Sequence, residues 1–265
     1  MSKLLAVSPE NLLGKFWRKG GGYKHASNVV LAPIIAPEAP VAAMALPLGF
    51  APQGAEFALV AVLGLIPGQD LLVAPDGQWL AGYIPAALRS FPFQIAADAD
   101  GKAILCVDAD SVLDRPEGDA EPFFDDKDTL GSSVKAILAF LSGQIGNIAP
   151  TQQICRDLQG AGVIVPWEIQ VQTDDQKRKI EGIYKIDEDA LNALSDQQFL
   201  SLRASRALQV AYCQLLSMQN LAMLGQMAQA QAAAKIRREQ AAKEKMVKQA
   251  TLSGDIDLSI LTKHR

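Results

Sequence analysis

At 265 residues with 49% apolar side chains, the chain can bury about three-quarters of its unfolded surface, so a sizeable core is expected, in one large domain or two small ones. A net charge of −4 argues against a surface built to grip nucleic acid, and a mean hydropathy near zero argues against an integral membrane protein. Residues 1–28 show little periodicity, and Gly20, Gly21 and Gly22 read as a joint; without a strand before them or a helix after them they are no phosphate loop. The apolar stretch 29–50 is long enough for a membrane span, but prolines 33, 37, 40 and 47, with Glu38 among them, break any helix there into extended pieces and turns.

Further along, Phe57 to Ile66 is a continuous apolar run closed by Pro67-Gly68 and predicts a strand buried on both faces. Short strands are predicted at Leu71 to Ala74 and Gln78 to Ile84, around the Pro75-Asp76-Gly77 turn, with Trp79, Ala81 and Tyr83 on one side. Pro85 fits a first helical position. Phe93 to Asp98 and Ala103 to Asp108 flank Asp100-Gly101, a hairpin signal because a type I′ turn needs positive φ at its centre. The acidic stretch Asp108 to Asp128 reads as a surface loop.

Leu130, Val134, Ile137, Leu138 and Leu141 recur at helical spacing as far as Gly143, and Thr151 to Gly160 presents Ile154, Cys155 and Leu158 on a second helix. Trp167, Ile169 and Val171 alternate with polar residues and are answered by Ile180, Tyr184 and Ile186 in a half-exposed hairpin about Gln176. Asp187 is expected to cap a short helix, and Ser195 with Gln198 forms a capping box. Residues 202–224 predict a buried helix, and 226–248, rich in Ala, Gln, Lys, Arg and Glu, continue it without an apolar stripe or a coiled-coil heptad.

Residues 1–17 contain neither an uninterrupted apolar run nor a small-residue cleavage pattern, so no secretory leader is expected and the predicted compartment is the cytoplasm. Cys106, Cys155 and Cys213 are odd in number and far apart in apolar settings, which fits buried free thiols in a reducing compartment. Two histidines, His25 and His264, do not make a Ser-His-Asp arrangement, and without a CxxC there is no zinc pattern. No catalytic residue, metal ligand or cofactor is assigned. The binding candidates are Trp79, Tyr83, Arg89, Phe91 and Phe93, because Trp, Tyr and Arg combine large buried area with a directional polar group. The alternative is that Trp79 and Tyr83 are core and Arg89 pairs with a carboxylate such as Asp108.

The segment Leu63 to Phe93, LGLIPGQDLLVAPDGQWLAGYIPAALRSFPF, with Gly64, Asp76-Gly77, Trp79, Gly82-Tyr83, Pro85, Arg89 and Pro92-Phe93, resembles the signature of the SapC family, proteins named for an association with S-layer protein export. Trp17-Arg18, Tyr23, Ala26, Pro33, Glu38, Pro47 and Phe50 resemble its lead-in, Cys106 to Ser111 with Gly118 and Phe124 its acidic continuation, and Gly182 to Asp187 with Leu215 to Ser217 its later blocks. His25, where an aromatic is expected, and Gln69-Asp70 depart from it.

The chain is therefore read as an α+β protein. Its parts are a flexible segment 1–28, a SapC-like domain 29–225 with a β-rich first half and a helical second half, and a charged helical tail 226–265. With no catalytic arrangement among its residues, the chain is read as a non-catalytic binding or accessory component, and the resemblance implies an association, with a protein partner, with the export of S-layer or other envelope proteins. Two alternatives stand: an enzyme on a glycan or peptide in a cleft lined by Trp79, Tyr83 and Arg89, and an oligomer assembled through the tail. A small-molecule or glycan ligand is also compatible with the binding candidates, whereas neither nucleic acid nor a membrane-spanning role is expected.

Overall fold

The computed structural model describes residues 3–18, 22–97, 100–125, 128–173 and 176–252. The chain divides into two units, Met1–Leu224 and Gly225–Arg265. Residues before 28, where the pattern predicted no regular element, contain strand β1 (Leu4–Ala6), a single helical turn α1 (Pro9–Leu12) and strand β2 (Phe16–Arg18), with Leu12 and Trp17 buried. After them come β3 (Leu31–Pro33), the short helix α2 (Ala39–Ala42), β4 (Leu48–Gln53) and β5 (Glu56–Val62). β5 ends at Val62, four residues short of the predicted Ile66, and within it Leu59 to Val62 are buried without a break, as expected for a strand covered on both faces.

Neither strand predicted around the Pro75-Asp76-Gly77 turn forms; between residues 71 and 84 there is one isolated bridge, Val73 to Trp79. The turn closes on itself instead. Ala74 N–H bonds the Gln78 carbonyl at 2.8 Å, Gly77 N–H bonds the Ala74 carbonyl at 2.8 Å, and the Asp76 carboxylate accepts from Gln78 N–H at 3.0 Å. Tyr23 N–H then docks on the Gly77 carbonyl at 2.8 Å. Gly22, at φ +71°, approaches that carbonyl so closely that a Cβ would lie 2.9 Å from it.

Helix α3 (Ala86–Arg89) follows, with Pro85 at its N-cap, one position earlier than predicted. The predicted hairpin is present as β6 (Phe93–Ala97) and β7 (Ala103–Asp108), in register Phe93 to Val107 through Ala97 to Ala103. The acidic stretch is more than a loop. It contributes β8 (Val112–Leu113) and β9 (Ala120–Pro122), which pair with β2 from either side. Next come α4 (Ser132–Gly146) and α5 (Ile148–Gly160), the first running three residues past its predicted end.

Strands β10 (Ile164–Pro166), β11 (Ile169–Thr173), β12 (Gln176–Ile180) and β13 (Tyr184–Ile186) divide the predicted second hairpin in two. β11 pairs β12, whereas Tyr184 and Ile186 sit opposite Pro166 and Ile164. Gly182, at φ +82°, redirects the chain between these pairings, and the Trp167 N–H bonds the Ile183 carbonyl at 2.8 Å. α6 (Glu188–Asn192) is capped by the Asp187 carboxylate, and α7 (Asp196–Ala204) begins with the Ser195/Gln198 capping box. The single helix predicted over 202–224 is interrupted: Arg206 adopts φ +65°, and the chain restarts as α8 (Ala207–Ser217) before α9 (Leu221–Leu252).

Three larger sheets result, β1-β7-β6, β8-β2-β9 and β10-β13-β4-β5-β3, all antiparallel, so the body is α+β. Trp17, Phe93, Val107, Phe123 and Val134 form one core cluster under the first two sheets and α4. α5 and α8 pack on the five-stranded sheet. There the fully buried Gln214 accepts from the Ile186 N–H at 2.8 Å and donates to the Leu48 carbonyl at 3.2 Å. Ser217 accepts from the Leu48 N–H at 2.9 Å. These side chains satisfy backbone groups where β4 and β13 pair only at Phe50 and Tyr184.

Candidate functional site

Four of the five predicted binding residues come together around α3. Pro37 and Pro40 shape the turn that carries Glu38 inward, and this carboxylate, 8% exposed, organises the site. Its Oε1 accepts from the Tyr83 hydroxyl at 2.5 Å and from the Ala86 N–H at 2.8 Å, and its Oε2 from the Ile35 N–H at 3.3 Å. Burial, and then the hydrogen bond to Glu38, push the Tyr83 pKa upward, so the phenol stays a donor. The Trp79 indole N–H donates to the Tyr83 carbonyl at 2.8 Å and ties the turn to the same corner.

Arg89 stands in the last turn of α3. Its guanidinium carbon lies 5.6 Å from the Tyr83 ring centroid and 5.1 Å from that of Phe140 on α4, within cation–π range. Its polar contacts are longer: Nη2 is 3.5 Å from the Tyr83 hydroxyl and 3.9 Å from Glu38 Oε1. The carboxylate beside Arg89 is therefore Glu38 and not Asp108, which instead accepts from the Asp110 N–H at 3.2 Å.

Phe91 is 42% exposed and stacks on His25 with centroids 3.9 Å apart and planes 8° from parallel. Tyr23 joins this pair to Trp79, at 5.9 Å from His25 and 5.6 Å from Trp79. Burial pushes the His25 pKa down, opposed by backbone hydrogen bonding at Leu88 and Gly22, so its ring is a neutral stacking partner at neutral pH. Phe93 does not join them. It is 2% exposed, edge-on to Trp17 at 4.8 Å and Phe123 at 5.9 Å, and belongs to the core. The Phe91–Pro92 peptide between the two environments is cis.

Sequence reasoning assigned no site role to Glu38, Tyr23, His25 or Phe140. The available signal for Glu38 was an acid alone in a Pro-punctuated apolar run, and for Tyr23 its place in the lead-in. Phe140 had none, because α4 brings it to Arg89 across 50 residues of intervening chain.

The acidic stretch is largely committed to its own surroundings. Asp114 pairs with Lys15 at 2.5 Å and Glu117 with Arg18 at 3.0 Å, while Asp125 accepts from Thr129. Hydrogen bonding to Lys15 holds the Asp114 carboxyl below its ordinary pKa. Among the described residues no group of three His, Cys, Asp or Glu side chains is arranged to hold a metal ion, and no helix is long and apolar enough to cross a membrane. The expected Asp98-Ala99 part of the first hairpin turn and His264 lie outside the described residues, as do residues 174 and 175 of the second predicted turn, Asp174 to Lys177, whose Gln176 and Lys177 instead open β12. A cavity of about 260 Å³ bordered by Trp167, Glu181, Gly182 and Tyr184 contains none of the five predicted residues.

No curated protein and no solved structure matches the chain. The family model described as SapC matches residues 14–224, which takes in the lead-in with Trp17 and Tyr23, the Glu38–Tyr83–Arg89 corner, and α8 with Gln214 and Ser217. The match covers most of the chain, and the protein belongs to the SapC family.

Proposed function

We propose that this protein is a non-catalytic binding component that works with a protein partner, on the cytoplasmic side, in the export of S-layer or other envelope proteins. The supporting observation is the pairing of exposure with order at α3. Arg89, 41% exposed at its side chain, is held against Tyr83 and Phe140, and Phe91, 42% exposed, is held against His25. Aromatic and arginine side chains that are fixed before binding lose little conformational freedom when a partner covers them, which is what makes such residues dominate interfaces.

An enzyme reading has less support. The cluster's one buried carboxylate, Glu38, is occupied by three donors. The experiment is capture of the neighbouring gene products by the immobilised full chain. Arg89→Ala and Phe91→Ala are expected to lose the captured partner, while Leu200→Ala, at an exposed position on α7, retains it. Arg89→Ala should unfold within about 1 kcal/mol of the parent, since the Glu38 contact is long and half in solvent. Retention of the partner by both Arg89→Ala and Phe91→Ala would refute the proposal.

A further inference from the structure

We infer that Arg89 is the anchor of a carboxylate-binding site, filled by an acidic peptide segment of the partner; this rests on the binding function proposed above and names what that surface recognises. Arg89 is not needed to hold Glu38 in place. Glu38 accepts three closer hydrogen bonds, from Tyr83, Ala86 and Ile35, whereas Arg89 stands off at 3.9 Å. A guanidinium has five donors, and these contacts engage one of its nitrogens at long range. The Tyr83 and Phe140 rings meanwhile fix where the fork lies. A positioned, half-exposed fork is the geometry that pairs a planar carboxylate through two parallel N–H···O bonds.

The neighbourhood narrows the ligand. Phe91 is two residues further on, so its Cα is within about 7 Å of that of Arg89 by chain length alone. It offers an apolar ring backed by His25. The polar groups a sugar would need are already engaged: the Trp79 indole N–H on the Tyr83 carbonyl, the Tyr83 hydroxyl on Glu38, and Glu38 on its three donors. A dianionic phosphate would meet the Glu38 charge behind a single guanidinium, a poorer balance than a monoanion makes. One fixed cation beside one open apolar ring matches an acidic residue next to an apolar one in an extended peptide.

The test uses the full-length protein and reads the Arg89 side-chain Nε–Hε resonance during titration with acetyl-glutamyl-phenylalanine amide. The expected result is a saturable shift that weakens by about tenfold or more with acetyl-glutaminyl-phenylalanine amide, the loss expected when a charge-assisted bidentate pair is removed. Arg89→Lys keeps the charge without the fork; read through the Phe91 ring protons, it should also bind at least about tenfold more weakly. Equal binding of the two peptides, no saturable shift, or tighter binding of glucuronate or inorganic phosphate would overturn the inference. If the peptides fail but Arg89→Ala still loses the captured partner, the carboxylate assignment falls and the binding function stands. If Arg89→Ala keeps the partner, the inference falls, and if Phe91→Ala keeps it as well, the binding function falls with it.

Discussion

The Tyr83 phenol donates a 2.5 Å hydrogen bond to the buried Glu38 carboxylate, joining the Pro-rich lead-in to the signature segment across 45 residues. Because Glu38 also accepts from Ala86 and Ile35, its removal strands three donors, of which the Ala86 N–H is buried and the other two partly buried. Glu38→Ala should lower unfolding stability by about 3 kcal/mol, and Tyr83→Phe, which removes a single donor, by about 1 kcal/mol. The double variant should cost less than the sum, since both changes break the same bond. Urea unfolding of the three variants measures this; a Glu38→Ala loss below about 0.5 kcal/mol would show that the corner carries no structural weight.

Asp70 supplies a pH dependence. Its carboxyl is 4% exposed; Oδ1 accepts from the Leu72 N–H at 2.6 Å, while Oδ2 is buried with no hydrogen-bond partner. Burial pushes its pKa from 3.8 up to about 6. A folded value above the unfolded one means that the native state holds a proton the unfolded chain has released. The contribution of Asp70 to stability is therefore full below about pH 4 and is lost as pH rises through about 6. Asp70→Asn should flatten that part of the stability profile, whereas an unchanged slope between pH 4 and 6 would assign it to other groups.

The thiols should differ in reactivity. All three are free, with Cys106 and Cys155 buried and Cys213 only partly so. Burial raises each pKa, that of Cys155 to about 11, so little thiolate exists at neutral pH. In native protein Cys213 should label first and slowly, and Cys155 only once denaturant is added. Rapid native labelling of Cys155 would contradict its burial on the α5 face that packs against β5.

Arg206 holds φ +65° where α7 gives way to α8, a conformation that disfavours a side chain with a Cβ. Arg206→Gly should raise stability by about 0.5–1 kcal/mol in thermal or urea unfolding. A loss of stability would mean that the arginine side chain contributes more than its backbone costs.

Between Gln226 and Lys248 six cations face two anions, and Ile236, Arg237, Lys243 and Lys245 are exposed. A helix without an apolar stripe is marginal in water unless something covers it. Trypsin should cut first at Arg237, Lys243 and Lys245 and leave a product close to the family span, and any partner that protects these sites should do so less well at high salt. Resistance of the isolated protein at both low and high salt would rule out an uncovered tail.

Local signals in the chain determined most of the elements. Asp100-Gly101 placed the β6–β7 hairpin, Ser195 with Gln198 the start of α7, and the unbroken run from Phe57 a strand covered on both faces. Each rests on interactions within a few residues, where composition alone decides the outcome. Tertiary structure decided the rest. The residues around Trp79 have the composition of strands, but a turn that satisfies its own backbone groups and docks on Tyr23 leaves no ladder to join. Tyr184 could have answered Trp167 by alternation; it pairs with Pro166 and Phe50 because β4 and Gln214 supply partners that no nearby residue reveals. The same holds for the site. Trp79, Tyr83, Arg89 and Phe91 were legible as types suited to binding, but Glu38 and Phe140 reach Arg89 from distant elements, and Phe93 is turned into the core two residues from an exposed ring. Side-chain type is set by the sequence locally, whereas which face it shows and which charge it meets depend on long-range packing.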